Sequence, residues 1–580
     1  MPYATSTYHG TMNSDEQNET PSCSNVHSRE DATTVDPTDH GEIDNDIQEG
    51  DNISRLVEET QSKKRFVTAR EYYAFIIQVR KGLFNIILFG GRLFQQWAVD
   101  MYIKIESMRL DWYSNPENQK LIRAELYQGL VDVINAGETR ASEVGKRIVL
   151  PRSFPGGDRD MQQRFLNAMA IVQRFGKPDY FITMTCNPYW EEITSNLEPG
   201  QKAQDRPDLV ARVYRAKLWD MKDLLIKKKY FGEVAAYVHV TEFQKRGLPH
   251  EHILLIMKSG SKLTSPDGYD NVISAEIPDK DKYPVLHNLV IKHMLHGPCG
   301  VLNKKCPCMI NGECRFHYPR QFCAATQQGK ESYPLYRRRE DGRRVKIRGA
   351  ELDNRWVVPY NPGLLFRYNC HINVEACSSI KAIKYLFKYV YKGHDRASFS
   401  VDPAHKEGGV INEICQYRDA RYISPPEALY RIYGFPLFGV CPSVLQLQCH
   451  LPDMQSVIID ETKNLQDIVD EPSSSMTTLT EYFMKNRVDS YARKLLYREF
   501  PEHYRWIHGS KVWQRRKQRG QIGRIVYAHP AKGERYFLRV LLNHVRGATS
   551  YEDLRTVTSI TYSTFREACE KRGHRDRHVT

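Results

Sequence analysis

The stretch from Gly232 to Met257, GEVAAYVHVTEFQKRGLPHEHILLIM, constrains the fold of this chain more than any other. Two runs rich in apolar and β-branched residues, GEVAAYVHVTEF and HEHILLIM, flank the segment QKRGLP, whose glycine and proline favour a chain reversal. Because a short reversal joins antiparallel neighbours, this stretch predicts two paired strands of an antiparallel sheet.

The elements around this hairpin indicate the fold class. DYFITMT is typical of a buried strand, and MQQRFLNAMAIVQRFG is typical of a helix that ends at Gly176. We therefore expect an α+β fold with a central antiparallel sheet and flanking helices.

The composition along the chain predicts four regions. We expect a disordered acidic segment, a helical N-terminal domain that includes RLFQQWAVDMYIKIESMRLDWY, a sheet domain with a Cys/His insert near residues 293–323, and a mixed basic C-terminal region. In that order, their predicted bounds are 1–64, 65–148, 149–400 and 401–580.

The charge of the chain favours a polyanionic partner. The first sixty residues hold fourteen acids and two arginines, which gives this segment a net charge of −12. Because the whole chain has a net charge of +13, the other residues carry +25. Such a charge with 11% aromatic residues indicates a nucleic acid, although an acidic membrane surface also fits. The sequence has no apolar run of spanning length and no secretory signal, and its thirteen cysteines are odd in number. These features predict a reduced intracellular protein with no membrane association.

Two histidines at the start of the third predicted strand are candidate metal ligands. His250 and His252 lie two residues apart and therefore on one face of the strand, while Glu242 and Gln244 share a face of the preceding strand. Two imidazoles with a carboxylate or an amide suit Mn²⁺ or Mg²⁺ at a phosphate, or Zn²⁺. The alternative is an ordinary turn with polar histidines.

A helix is predicted for SSIKAIKYLFKYVYKGHD, with Gly393 at its C-terminal cap. Tyr385 and Tyr389 lie one turn apart, away from the apolar stripe of this helix, and Lys388 is among the lysines beside them. Because the pKa of a phenol is about 10, a cationic neighbourhood is what would make a tyrosine nucleophilic. A solvated helix face is the alternative.

Taken together, these segments resemble Helitron transposases, in their N-terminal helicase-like region and their HUH-class rolling-circle Rep nuclease domain. The resemblance rests on six segments in family order, which are RLFQQWAVDMYIKIE, GKPDYFITMTCNPYW, EFQKRGLPHEH, HGPCGVLNKKCPCMINGEC, IKYLFKYVYKG and YGFPLFGVCPSVLQLQCHLP.

The resemblance implies a metal-dependent tyrosine endonuclease and strand transferase that acts on single-stranded DNA at transposon ends. It places His250 and His252 on the metal-binding pair, with Glu242 or Gln244 as the third ligand. It places the catalytic group at Tyr385, Tyr389 and Lys388, and it implies that Thr183, Thr185 and Asn187 line the DNA path.

Two departures from the family pattern matter. Glu251 stands between the histidines, where the wider class usually has an apolar residue. The chain also has no G-x-x-x-x-G-K-[ST] motif, so we expect no ATPase of its own, and helicase function would have to come from elsewhere. The alternative function is that of a truncated, catalytically decayed nucleic-acid-binding protein. A zinc hydrolase fits less well, because HEH is not a helical H-E-x-x-H.

A cysteine-rich segment offers a second metal site. We expect His296, Cys299, Cys308 and Cys314 to form a structural zinc site, although the spacing lacks a paired C-x-x-C and free thiols are the alternative.

The basic stretch KVWQRRKQRGQIGR is a candidate phosphate-binding patch, with Arg515, Arg516 and Lys517 as DNA contacts and Trp513 as a base-stacking aromatic. A solvated helix face and a nuclear import signal are the alternatives, and we expect a nuclear protein.

Overall fold

The computed structural model describes residues 66–116, 118, 150–151, 154–244, 247–327, 333–377, 413–419, 421–455, 475–517 and 520–574. All of them lie within one compact unit, Asp46–Thr580. The acidic segment predicted over residues 1–64 lies outside the described residues.

The described α-helices, in chain order, are α1 Ala69–Ile76, α2 Arg92–Ser114, α3 Asp158–Phe175, α4 Glu191–Thr194, α5 Pro207–Lys222, α6 Pro266–Val272, α7 Pro284–His293, α8 Pro362–Tyr368, α9 Glu413–Asp419, α10 Pro425–Ile432, α11 Thr478–Val488, α12 Phe500–His503, α13 Glu534–His544, α14 Tyr551–Arg555 and α15 Phe565–Lys571. None of them is both long enough and apolar enough to cross a membrane.

The described strands are β1 Tyr180–Thr185, β2 Val234–Phe243, β3 Pro249–Met257, β4 Met309–Ile310, β5 Glu313–Cys314, β6 Val345–Ile347, β7 Ala350–Leu352, β8 Ile372–Ala376, β9 Phe438–Cys441, β10 Ser443–Leu447, β11 Tyr504–Ile507, β12 Val512–Arg515, β13 Gln521–Ile525, β14 Thr556–Val557 and β15 Ile560–Thr561. The helices and strands together make a mixed α+β fold.

A five-stranded antiparallel sheet lies at the centre, in the order β8-β1-β3-β2-β9. The predicted hairpin forms its β2–β3 pair, so the strands expected from the sequence are confirmed. Helix α3 ends where the sequence predicts, because Gly176 adopts a φ of 93° that an L side chain rarely takes.

Both faces of the central sheet are buried, which explains why β3 is apolar along most of its length. On one face, Ile182 and Leu255 belong to the largest apolar cluster. On the other face, Phe181 and Leu254 pack with Ile171 of α3. A strand covered on both sides loses the simple alternation of apolar and polar residues.

Helices α1 and α2 share the core of the sheet. Phe94 and Tyr102 belong to the same apolar cluster as β1 and β3. The Glu106 carboxylate of α2 accepts hydrogen bonds from Tyr102 and Tyr417 and forms an ion pair with Arg421 at 3.3 Å. The helical content predicted over residues 65–148 is therefore present in α1 and α2, while its independence as a domain stays a prediction.

The C-terminal region has a core of its own. Tyr482, Phe500, Trp513 and Leu538 are buried in one cluster formed by α11–α15 with β11–β13. Arg174 at the end of α3 forms a two-pronged ion pair with Glu502, with N···O distances of 2.7 and 3.0 Å. This pair ties the C-terminal region to the helix that covers the sheet.

Candidate functional site

The histidine pair lies on β3, the middle strand of the sheet. His250 is opposite Thr185 of β1 and Glu242 of β2, and His252 is opposite Thr183 of β1. Directly opposed residues in antiparallel strands project from the same face of a sheet. The five side chains therefore share one face.

Each imidazole is held by a threonine. Thr185 Oγ1 lies 2.7 Å from His250 Nδ1, and Thr183 Oγ1 lies 3.3 Å from His252 Nδ1. When Nδ1–H donates to the hydroxyl, Nε2 keeps the lone pair that a metal ion needs. The hydroxyls of Thr183 and Thr185 thus orient the histidines, and their predicted place along a DNA path stays a prediction.

Burial keeps the first histidine neutral. It lowers the pKa of His250 well below the ordinary value, and the nearby His252 and His371 act in the same direction. A neutral imidazole is the form that coordinates a metal. His250 is therefore ready to bind an ion at neutral pH without first losing a proton.

Glu242 is the carboxylate beside the pair. Its Oε2 lies 3.7 Å from His252 Nε2. Its Oε1 is buried and has no hydrogen-bond partner among the described residues. Leaving a buried polar atom unsatisfied is costly, and a bound cation would relieve that cost. Gln244, the other predicted ligand, follows the end of β2, is exposed, and lies in the turn, where its carbonyl accepts the Gly247 N–H at 2.6 Å.

The donor types on this face are those that bind a divalent cation, whereas the group of candidate ligands drawn within 4.8 Å of one another in the described part of the chain is the cysteine cluster, so an ion at the histidine pair stays a prediction. Two imidazole nitrogens and one carboxylate leave coordination positions open, which suits Mn²⁺, Mg²⁺ or Zn²⁺ with a phosphate or water as a further ligand. His250, His252 and Glu242 are the residues that would hold it.

A third histidine, His371, was not found from the sequence. It precedes β8, and its carbonyl accepts the Thr185 N–H at 2.9 Å, which places it at the sheet edge beside the pair. His371 Nδ1 lies 3.1 Å from the His293 carbonyl, and His293 Nε2 lies 2.9 Å from Asn369 Oδ1. Asn187 donates from Nδ2 to the Asn369 carbonyl at 2.7 Å, and its predicted contact with DNA stays a prediction. The period-2 pattern of INVEA after His371 is the signal that could have located this strand.

The reverse face of β3 accommodates the charge of Glu251. The side chain is fully buried and accepts hydrogen bonds from His239 Nδ1 at 2.8 Å and Thr241 Oγ1 at 2.5 Å. Lys222 Nζ of α5 lies 2.9 Å from His239 Nε2. The imidazole of His239 thus lies between the Lys222 ammonium and the Glu251 carboxylate. Burial has the largest effect on this imidazole and lowers the pKa of His239, although Glu251 acts in the opposite direction. The departure from the family pattern is therefore compensated by three partners.

The predicted nucleophiles lie elsewhere in the chain. Tyr385, Tyr389 and Lys388 fall in residues 378–412, outside the described residues. Their role stays a prediction.

The four predicted zinc ligands come together. The ligand atoms of His296, Cys299, Cys308 and Cys314 all lie within 4.8 Å of one another, and the three cysteines are buried. Cys314 Sγ lies 3.5 Å from His296 Nε2. One imidazole and three thiolates at this separation can bind a metal such as zinc. The grouping of these four residues is confirmed, and their use as a structural zinc site stays a prediction.

Local turns bring these ligands together. Asn311 and Gly312, both at positive φ, form the tight turn between β4 and β5 and so bring Cys308 near Cys314. The His296 ring stacks on Tyr318 with ring centres 4.3 Å apart. With Leu352 and Trp356, the cysteines form a small separate apolar cluster, as expected where a metal substitutes for a larger core.

The basic stretch differs from the prediction in one respect. Trp513 is buried with only 5% of its surface exposed, and its Nε1 donates to the Thr478 carbonyl at 3.1 Å, so its predicted role as a base-stacking residue is wrong. The segment is also strand β12 rather than a helix face. Arg515 is exposed and its guanidinium lies over the Tyr491 ring, and Lys517 is exposed. Arg516 bonds to Gln521 Oε1 at 3.0 Å.

A comparison with known protein families finds a match, which covers the N-terminal part of the chain up to β3. Residues 72–255 match the family model described as the Helitron helicase-like domain at the N-terminus. This part of the chain is similar to the Helitron helicase-like N-terminal domain. The match includes α2, α3 and the three strands that carry Thr185, Glu242 and the histidine pair, and it ends before the cysteine cluster and β8. No curated protein matches the chain.

Proposed function

We propose that this protein is a metal-dependent tyrosine endonuclease and strand transferase that acts on single-stranded DNA during rolling-circle transposition of a Helitron element. The observation that carries the proposal is the arrangement of His250, His252 and Glu242 on one face of the sheet, with the Nδ1 atoms of both imidazoles held by threonines.

The sheet residues around the histidine pair have different roles in the proposed metal site. Thr183 and Thr185 hold the Nδ1 atoms of the imidazoles, which would leave the Nε2 atoms as metal ligands. Glu242 adds a negative charge beside His252. A divalent ion bound by these residues would polarise a phosphate oxygen of the DNA and stabilise the charge that develops on it.

The proposed reaction is a phosphoryl transfer. The phenolate oxygen of Tyr385 or Tyr389 forms a bond to phosphorus, the bond from phosphorus to the 3′ oxygen breaks, and that oxygen leaves as a 3′ hydroxyl after taking up a proton. The downstream strand then carries protein on its 5′ phosphate. A second tyrosine one helical turn away would allow a second transfer, and Lys388 would stabilise the phenolate.

A covalent-attachment assay tests the proposal. A pool of single strands with a randomised centre, labelled at the 3′ end, is incubated with protein and Mn²⁺ and run on a denaturing gel. The label should shift to the size of the protein because the downstream fragment stays attached. A 5′ label should instead appear on a shorter free fragment.

Two variants make the result specific. Replacement of both Tyr385 and Tyr389 by Phe should abolish the shifted band, whereas the matched control Tyr391→Phe on the same predicted helix should keep it. A shifted band that persists in the double variant contradicts the nucleophile assignment. Binding without any shifted band in the wild type would favour the non-catalytic alternative.

A further inference from the structure

The cysteine cluster carries an exposed surface that the metal ligands do not explain. We call it the zinc-loop surface and define it by Val301, Lys304, Lys305, Ile310, Arg315 and Phe316. Val301 is 94% exposed, Ile310 is 55% exposed and Phe316 is 44% exposed. Several large apolar side chains left in water on one short segment favour an interaction site.

The turns that build the cluster project these side chains outward. Cys308 and Cys314 are buried on the inner side of the β4–β5 hairpin, whereas Ile310 lies at its exposed tip. The Arg315 guanidinium lies 4.5 Å from the centre of the Phe316 ring. An exposed ring with a guanidinium over it is an arrangement that stacks on nucleic-acid bases.

The charge of this surface is positive. Lys304, Lys305 and Arg315 are exposed, and none of them forms an ion pair with a carboxylate of the described residues. The neighbouring hairpin β6–β7 adds Lys346 and Arg348, both exposed, and it packs against the cluster through its apolar residues. Cations around exposed apolar groups favour a phosphate backbone over a neutral protein face.

The surface is connected to the histidine pair by a short segment. His296, the first ligand of the cluster, comes three residues after His293 at the end of α7. The His293 carbonyl accepts a hydrogen bond from His371, which lies beside Thr185 at the edge of the sheet. The cluster and the candidate site are therefore linked through His293 and His371.

We propose that the zinc-loop surface is a second binding site for single-stranded DNA, in which Phe316 stacks on a base while Lys304 and Lys305 contact phosphates. The proposal rests on the proposed function in one respect, namely that the strand held here is the strand presented to His250 and His252. Attachment of DNA to a tyrosine and affinity for DNA are separate measurements, so either proposal can fail while the other stands.

The test is equilibrium binding of a fluorescein-labelled single strand of mixed sequence, measured by anisotropy over a series of NaCl concentrations, with zinc-loaded protein and no Mn²⁺ or Mg²⁺. For Lys304→Gln with Lys305→Gln, the slope of log affinity against log salt should become shallower by about 1.4, because each lost phosphate contact contributes about 0.7 on single strands. Phe316→Ala should weaken binding by at least about fivefold at fixed salt.

A matched control is Lys532→Gln with Lys571→Gln, two exposed lysines of the C-terminal region, which changes the net charge by the same amount. This control should bind with the wild-type slope. All variants are checked for wild-type zinc content and melting temperature, so that a loss of binding is not a loss of fold.

Three results would overturn the proposal. The first is an unchanged salt slope in the variant with both Lys304 and Lys305 replaced. The second is an equal loss of affinity for duplex and single-stranded DNA, because stacking on Phe316 needs an unpaired base. The third concerns the variant with both Val301→Ser and Ile310→Ser. If its oligomeric mass in light scattering changes while its DNA affinity does not, the surface is an interface between copies of this chain.

Discussion

Replacing Glu251 by Ala should destabilise the sheet more than any exposed substitution does. The change leaves the Nδ1–H of His239 and the hydroxyl of Thr241 without their acceptor, and it leaves the Lys222 ammonium without the carboxylate that balances it. Removing one partner from a buried charged network costs about 3–5 kcal/mol. With about 2 °C per kcal/mol for a large domain, the melting temperature should fall by about 6–10 °C.

Thermal unfolding followed by circular dichroism measures this shift. The matched control is Glu340→Ala, which removes an exposed carboxylate and should change the melting temperature by less than about 1 °C. A fall of less than about 2 °C for Glu251→Ala would refute the reasoning, because it would mean that the buried network holds no unbalanced charge once Glu251 is gone.

A compensated variant separates lost pairing from lost volume. Glu251→Leu combined with His239→Leu and Lys222→Met replaces the network by apolar side chains, which is often neutral or stabilising. It should recover most of the melting temperature that Glu251→Ala loses. If the compensated variant is no more stable than Glu251→Ala, the loss comes from packing rather than from charge.

Three further predictions follow from single contacts. Burial lowers the pKa of Lys222 to about 8, so above that pH the unfolded chain binds more protons than the folded protein does. The contribution of Lys222 to stability should therefore rise as the pH goes from about 8 to about 10. In Lys222→Met, the melting temperature should no longer show this rise. Thr185→Val should weaken Mn²⁺ binding by about tenfold in calorimetry, because His250 loses the group that holds its Nδ1; unchanged affinity would exclude the orienting role. Cys308→Ala should lose bound zinc in elemental analysis, whereas Cys323→Ala, outside the cluster, should retain it.

The sequence predicted the central hairpin and the grouping of the zinc ligands because both depend on local patterns. Runs of apolar and β-branched residues and the Gly-Leu-Pro reversal determine β2 and β3, and the Asn311–Gly312 turn sets the distance between the last two cysteines. The sequence already favoured Glu242 over Gln244 as the third ligand, and the register adds that Glu242 is opposite His250.

Other parts of the site depend on contacts between distant segments, which no local pattern reports. Trp513 sits in a basic stretch, yet tertiary packing against Phe500 buries it. His371 reaches the histidine pair only because β8 pairs with β1, almost two hundred residues earlier in the chain. The partners of Glu251 likewise come from β2 and α5.

The covalent DNA–protein species offers the most direct test of the central claim. After incubation with a single strand and Mn²⁺, the adduct is digested with trypsin and nuclease, and the modified peptide is sequenced by mass spectrometry. The proposal predicts a nucleotide joined through its 5′ phosphate to Tyr385 or Tyr389. A nucleotide on any other residue, or the absence of a modified peptide from protein that binds the strand and retains Mn²⁺, would contradict it.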